Sequence, residues 1–248
     1  MKNSRNNLNN RNSEIKVSKI LTYIVGIYIS LSFLAPLMIN SGDVPELSGR
    51  ANAIDYAKES SWGNIDHGEY AYIGHDQSKH GGSFAWMDLN PIWAITYAFG
   101  DLNCHQKHER SWEINDNQMP ICVRDVGIML GFIFGALIFG LRGVNRWTLR
   151  DTFLTIFPDE FLGQFYEKDR RLFLMVGILL ISVTPIGIDG FTQLLTNYES
   201  NNTLRLVTGI IAGFGLGWLV CSMISAKPNH FDSAEDVKLP ADAKLRIK

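Results

Sequence analysis

A surplus of one charge is missing from this sequence: 23 Lys and Arg stand against 25 Asp and Glu in 248 residues, for a formal net charge of -2. Nucleic-acid binders carry a basic excess, so that partner class is excluded. Cysteine is scarce, with three in the chain, too few for a secreted scaffold held together by disulfides. The sequence has no phosphate-binding glycine loop, no GxSxG elbow and no HExxH helix, and so no signature of the corresponding soluble enzymes. It also lacks the short, dispersed apolar runs of a soluble domain. Its hydrophobic residues, 46% of the chain, are pooled into four blocks.

Those blocks cover residues 20–39, 121–141, 172–188 and 204–224. At a rise of 1.5 Å per residue, a helix of about 20 residues crosses a hydrocarbon core of about 30 Å. The predicted fold class is therefore all-α: a polytopic membrane protein of about four transmembrane helices, with an outer loop region and an inner amphipathic segment. The first block is too long for the apolar stretch of a signal peptide and reads as a retained anchor.

Lys and Arg concentrate on cytoplasmic flanks. Here they cluster at Lys2, Arg5, Arg11, Lys16 and Lys19, at Arg142, Arg146, Arg150, Lys168, Arg170 and Arg171, and at Lys227, Lys238, Lys244, Arg246 and Lys248. The expected location is the cell membrane with both termini cytoplasmic. The implied organisation is a disordered arm (1–19), an anchor helix (20–39), an outer loop (40–120), a three-helix membrane core (121–225) and a tail (226–248). Within the outer loop, Asn90-Pro91 followed by IWAITYAF predicts a short interfacial helix. Within the core, the cytoplasmic loop 142–171 carries Trp147, Phe153, Ile156, Phe157, Phe161 and Phe165 at roughly helical spacing. That pattern fits an amphipathic segment on the inner leaflet, or a helix that binds a partner. The lipid bilayer is the partner the composition implies, and a homo-oligomer or a membrane partner stays open.

Gly127, Gly131 and Gly135, like Gly209, Gly213 and Gly217, recur every four residues. Such ridges let helix backbones approach closely where lipid supplies no hydrophobic drive, so GxxxG packing between the second and fourth helices is expected.

Charges within apolar segments are costly, about 2.5 to 3.5 kcal/mol at a helix centre, and here they fall near the outer ends. Cys122, Arg124 and Asp125 open the second helix, with Cys104 and His105 preceding it. Asp189 and Gln193 close the third, and Glu199, Asn201 and Arg205 lead into the fourth. One reading is a clasp of mutually neutralising charges. The other is a pocket with His105, Asp125 and Asp189 as catalytic groups and Gln106, Arg110, Arg124, Gln193 and Arg205 holding substrate; Arg can grip an anionic group through two parallel hydrogen bonds. Cys104 and Cys122 could form a disulfide. Alternatively, Cys104, Cys122 and Asp125, with a nitrogen from His105 or His108, could bind a metal, and zinc suits that mixed donor set. Three further histidines, His67, His75 and His80, lie in the outer loop; His75 and His80 make a candidate metal pair outside the site.

Three stretches, CHQKHERSW from Cys104, then MPICVRDVGIMLGFIFG, then TPIGIDGFTQLLTNYESNNTLRLVTGIIAGFGLG, resemble domain-of-unknown-function family 2085, predicted membrane proteins of archaea and bacteria. The resemblance spans roughly residues 90–219. It implies a Cys-His-Gln then Arg-Ser pattern (Cys104, His105, Gln106, Arg110, Ser111). It also implies a Pro-x-Cys-x-Arg helix start (Pro120, Cys122, Arg124) and a paired motif (Asp189, Gly190, Gln193, Ser200, Arg205). The family pattern has a second cysteine three residues after the first on that helix, where this chain has Asp125. A carboxylate there disfavours dithiol redox chemistry and leaves a harder metal site open. The resemblance implies topology and site position, and no activity. Three functions therefore compete: a metal-dependent membrane enzyme acting on a lipid-linked or anionic substrate, an accessory protein whose polar cluster is a clasp, and a small transporter.

Overall fold

Length and apolar composition decide the architecture. A computed structural model of the chain describes residues 11–67, 77 and 80–246; Lys2, Arg5, His75 and Lys248, named above, lie outside them. Four helices are long and apolar enough to cross a membrane: α1 (Asn12–Met38), α3 (Val123–Arg142), α6 (Arg171–Leu195) and α7 (Asn202–Ser225). Between them lie α2 (Pro91–Asn103), α4 (Leu149–Leu154) and α5 (Asp159–Glu167). The strands among the described residues are one two-residue hairpin, β1 (Glu113–Ile114) and β2 (Asn117–Gln118). The protein is thus an all-α membrane protein.

Contacts divide the chain into two units. Unit one comprises Met1–Val25, Ile128–Asn197 and Ile210–Lys248, and unit two comprises Gly26–Gly127 and Tyr198–Gly209.

In unit one, α1 starts eight residues before the apolar block, because the turn before it is anchored. The Arg11 guanidinium donates to the carbonyls of Gly140, Leu141 and Gly143, groups that the end of α3 leaves without helical partners. The buried Glu14 accepts from Asn145 N at 2.9 Å, and Ser18 Oγ donates to Ala136 O at 2.7 Å. α3 and α7 come close enough that a Cβ added at Gly131 would lie 2.1 Å from Ile210 O, and one at Gly213 would lie 2.0 Å from Ile128 O. Gly135 and Gly217 are as tightly placed, against Phe214 O and Phe132 O.

The amphipathic stripe of residues 147–165, for which the sequence allows either the inner leaflet or a partner, is largely turned into the protein itself. Phe153, Leu154, Ile156, Leu162 and Tyr166 are buried in one core with Trp218 and with Val237 and Leu239 of the tail. Phe153 stacks on Trp218 at 3.9 Å, and the Trp218 indole N–H donates to Phe153 O. Pro158 separates α4 from α5, so the stripe is cut into two short helices that fold back on the core, while Phe161 stays exposed. Beneath them Asp151, fully buried, accepts from Tyr166 Oη (2.9 Å), Thr148 Oγ1 (2.7 Å) and Arg171 (3.3 Å).

Unit two corrects the picture of residues 40–120 as a loop. Val44, Leu47, Tyr56, Phe84 and Tyr97 form a core with Ala35 of α1. Buried polar side chains stitch the irregular backbone around it. Asn117 accepts from Val44 N and donates to the carbonyls of Pro36 and Asn40. Asp101 accepts from Asp55 N, Tyr56 N and Trp86 Nε1. The predicted interfacial helix is α2, whose Asn90 cap accepts from Ile92 N. Its Ile92, Ile95, Phe99 and Leu102 are exposed at helical spacing.

Candidate functional site

The Cys-His-Gln turn owes its position to a close approach. A Cβ at Gly100 would fall 1.8 Å from Pro120 O, so only glycine lets α2 press against the segment entering α3. Cys104 ends α2 in extended conformation, and Gln106 is left-handed at φ 52, a strain of about 1 kcal/mol for a residue with a Cβ. The buried Gln106 amide holds that geometry by donating to Pro120 O at 2.9 Å.

This turn sets Cys104 against the start of α3. Cys122 N donates to Cys104 Sγ at 3.2 Å, and Cys122 Sγ lies 3.4 Å from Asp125 Oδ2. One donor atom from each of Cys104, Cys122 and Asp125 lies within 4.8 Å of the other two. Both cysteines are free thiols, so the disulfide allowed by the sequence is not formed. The two thiols also share a hydrogen bond. Cys104, donating and deeply buried, is pushed well above the ordinary thiol range, while that bond holds Cys122 down.

Three arginines frame the thiols. The Arg205 guanidinium, buried in the first turn of α7, interacts electrostatically with Arg110, Arg124, Cys122 and Glu199, and Arg110 pairs with Glu199 at 3.6 Å. On α6, within unit one, Gln193 Nε2 donates to Asp189 Oδ2 at 3.1 Å. His105 stands outside the three-donor group. In an extended chain neighbouring side chains point to opposite faces, so Cys104 turns inward and His105 outward to an exposed position. Partial burial of its ring, then the charges of Arg110 and Arg50, hold His105 below the usual imidazole range.

A second donor group was missed by the sequence reading. Glu46, His80 and His108 each offer a ligand atom within 4.8 Å of the others. The sequence offers His108 only as a partner for the thiols, and His80 only in a pair with His75. No linear spacing links positions 46, 80 and 108.

Residues 104–219 match the model of a family described as predicted membrane protein, DUF2085. An uncharacterised protein of Methanothermobacter thermautotrophicus is 34% identical over 116 residues, 47% of this chain and 82% of that protein. The chain belongs to DUF2085. A second relative, an uncharacterised protein of Methanocaldococcus jannaschii, is 33% identical over 119 residues, 48% of this chain and 61% of its own length. No solved structure matches the chain. The DUF2085 match begins at Cys104 and takes in the thiol–carboxylate group, the three arginines, Asp189 and Gln193. Glu46 and His80 lie before it.

Proposed function

We propose that the DUF2085 segment forms a pocket at the outer face of the cell membrane that holds a zinc-class ion on Cys104, Cys122 and Asp125. Arg110, Arg124 and Arg205 would receive an anionic headgroup or phosphate beside it. The carrying observation is the convergence of two thiols and a carboxylate within 4.8 Å among three guanidiniums. The donors fit the ion: sulfur and oxygen ligands suit zinc, and three protein ligands leave a fourth position for water. Water on zinc is a nucleophile at neutral pH, so hydrolysis of a lipid-linked or other anionic substrate is the chemistry this set supports. His105 is the candidate proton-transfer group, with Gln106 as a further polar contact. The proposed orientation places both termini in the cytoplasm, following the Lys and Arg flanks.

A clasp reading has its own support in the buried Gln106 amide bond and the Arg110–Glu199 pair. Native mass spectrometry of the detergent-solubilised protein, purified without reductant or chelator, separates the two. The pocket reading expects the zinc count to fall by one in Cys104→Ser and in Asp125→Asn, and retention of anionic lipid to fall in Arg124→Ala. Unchanged zinc and lipid with a lowered melting temperature in all three would leave only the clasp.

A further inference from the structure

Outside the thiol group, unit two presents two imidazoles and a carboxylate held together by the fold itself. The Gln77 side chain, 1% exposed, lies along the backbone around Leu47: Nε2 donates to Glu46 O at 2.8 Å, and Oε1 accepts from Ser48 N at 2.8 Å. His80 N in turn donates to Gln77 O at 2.9 Å, so His80 is tied through Gln77 to the segment bearing Glu46. From the other side, an antiparallel bridge pairs Ser48 with Lys107, and His108 N donates to Leu47 O at 3.1 Å. Three segments distant in sequence are thus fixed to one another by main-chain and amide hydrogen bonds.

The local geometry has the proportions of a coordination site. His108 Nε2 lies 3.5 Å from Glu46 Oε2, beyond ordinary hydrogen-bond length. It is close to the edge of about 3.4 Å that a nitrogen and an oxygen span across a tetrahedral zinc ion with bonds of about 2.1 Å. The other ring nitrogen, Nδ1, faces Glu109 Oε2 at 3.7 Å, an ion-pair separation longer than a hydrogen bond. A metal-bound histidine commonly turns its second nitrogen to a carboxylate, which fixes the ring and strengthens the ligand. The His80 and His108 ring centroids are 5.2 Å apart at 57°, so the rings are angled and unstacked.

We infer that Glu46, His80 and His108 form a second metal site, for a zinc-class divalent cation, with Glu109 orienting His108. Two imidazoles with one carboxylate favour a borderline transition metal over magnesium or calcium, which take oxygen ligands. Glu46 and Glu109 are exposed, so the fourth coordination position opens to the aqueous side, for water or a small anionic ligand. Because the donors are already positioned, binding costs little ordering.

The site is independent of the thiol group, and its test is made so. Full-length protein in detergent carrying Cys104→Ser and Cys122→Ser is titrated with zinc chloride. One bound ion is expected, with affinity reduced about tenfold or more by His80→Ala or His108→Ala and about 10- to 100-fold by Glu109→Ala. In the protein with its cysteines intact, zinc should protect His80 and His108 from diethyl pyrocarbonate and leave His67 and His230 reactive. Absence of zinc binding in the Cys104→Ser, Cys122→Ser protein, or binding indifferent to both histidine substitutions, overturns the site. So does equal modification of His80 and His108 with and without zinc.

Discussion

Asp101 condenses the chemistry of unit two into one side chain. Its carboxylate collects the N–H groups of Asp55, Tyr56 and the Trp86 indole, so a single acidic residue organises the turn from which Tyr56 enters the core. Burial nonetheless outweighs those donors and raises its pKa above the usual aspartate range. The native state therefore binds this proton more readily than the unfolded chain does, and stability at this position rises as pH falls from the raised value toward the ordinary one near 3.9. Asp101→Asn cannot titrate. The melting temperature of the parent minus that of the variant is expected to grow as pH is lowered from neutral toward 4.5; a difference that is flat or shrinks would contradict the assignment. Neither the role nor the shift is legible in DLNCHQ, where Asp101 looks like one more solvated acid of an acidic loop. The same blindness applies to Gln77, Glu46 and His80, which are brought together by Gln77 bonds to Glu46 and Ser48 across 31 and 29 residues.

At the scale of elements, apolar runs were readable and partner segments were not. Four apolar blocks became four long helices because burying the backbone's polar groups in lipid requires continuous helix. Gly131 and Gly213 lie where the α3 and α7 backbones meet. A Cβ at either position would stand about 2 Å from a carbonyl oxygen of the facing helix, a contact relieved only by moving a helix. Gly131→Ala and Gly213→Ala should each destabilise by about 1 to 3 kcal/mol, read as a lower melting temperature in detergent. Gly177→Ala on α6, with nothing within 4 Å of the added carbon, should not. Equal melting of all three variants would separate the glycines from the packing. The segment between α3 and α6 shows the limit of such reasoning. Its aromatic stripe was visible, but an apolar stripe does not say whether lipid or protein covers it, and here Trp218 and the tail do so. The candidate site divides in the same way. Cys122 and Asp125, three residues apart at a helix start, could be paired from sequence, whereas the approach of Cys104 depends on Gly100 meeting Pro120.

For the whole molecule, the charges that suggest orientation also hold the fold, and the two roles act at different times. Arg11 closes the end of α3, Arg146 pairs with Asp159 at 2.8 Å, and Arg171 pairs with the buried Asp151. Each of these partners is acquired only on folding. During insertion the chain is still unfolded and all three arginines are bare cations beside apolar segments, so each contributes to the Lys and Arg bias that sets topology. Their structural use therefore does not weaken the Lys and Arg bias, and the orientation that bias suggests can be tested by labelling. Ser60 in unit two and Asn229 in unit one are both exposed, while native Cys104 and Cys221 are buried. In intact cells a membrane-impermeant maleimide is expected to label Ser60→Cys well above the parent background and to label Asn229→Cys only after permeabilisation. The reverse pattern would put the thiol–arginine pocket and the Glu46–His80–His108 group on the cytoplasmic side, where a reducing, zinc-poor environment changes which ligands either could hold.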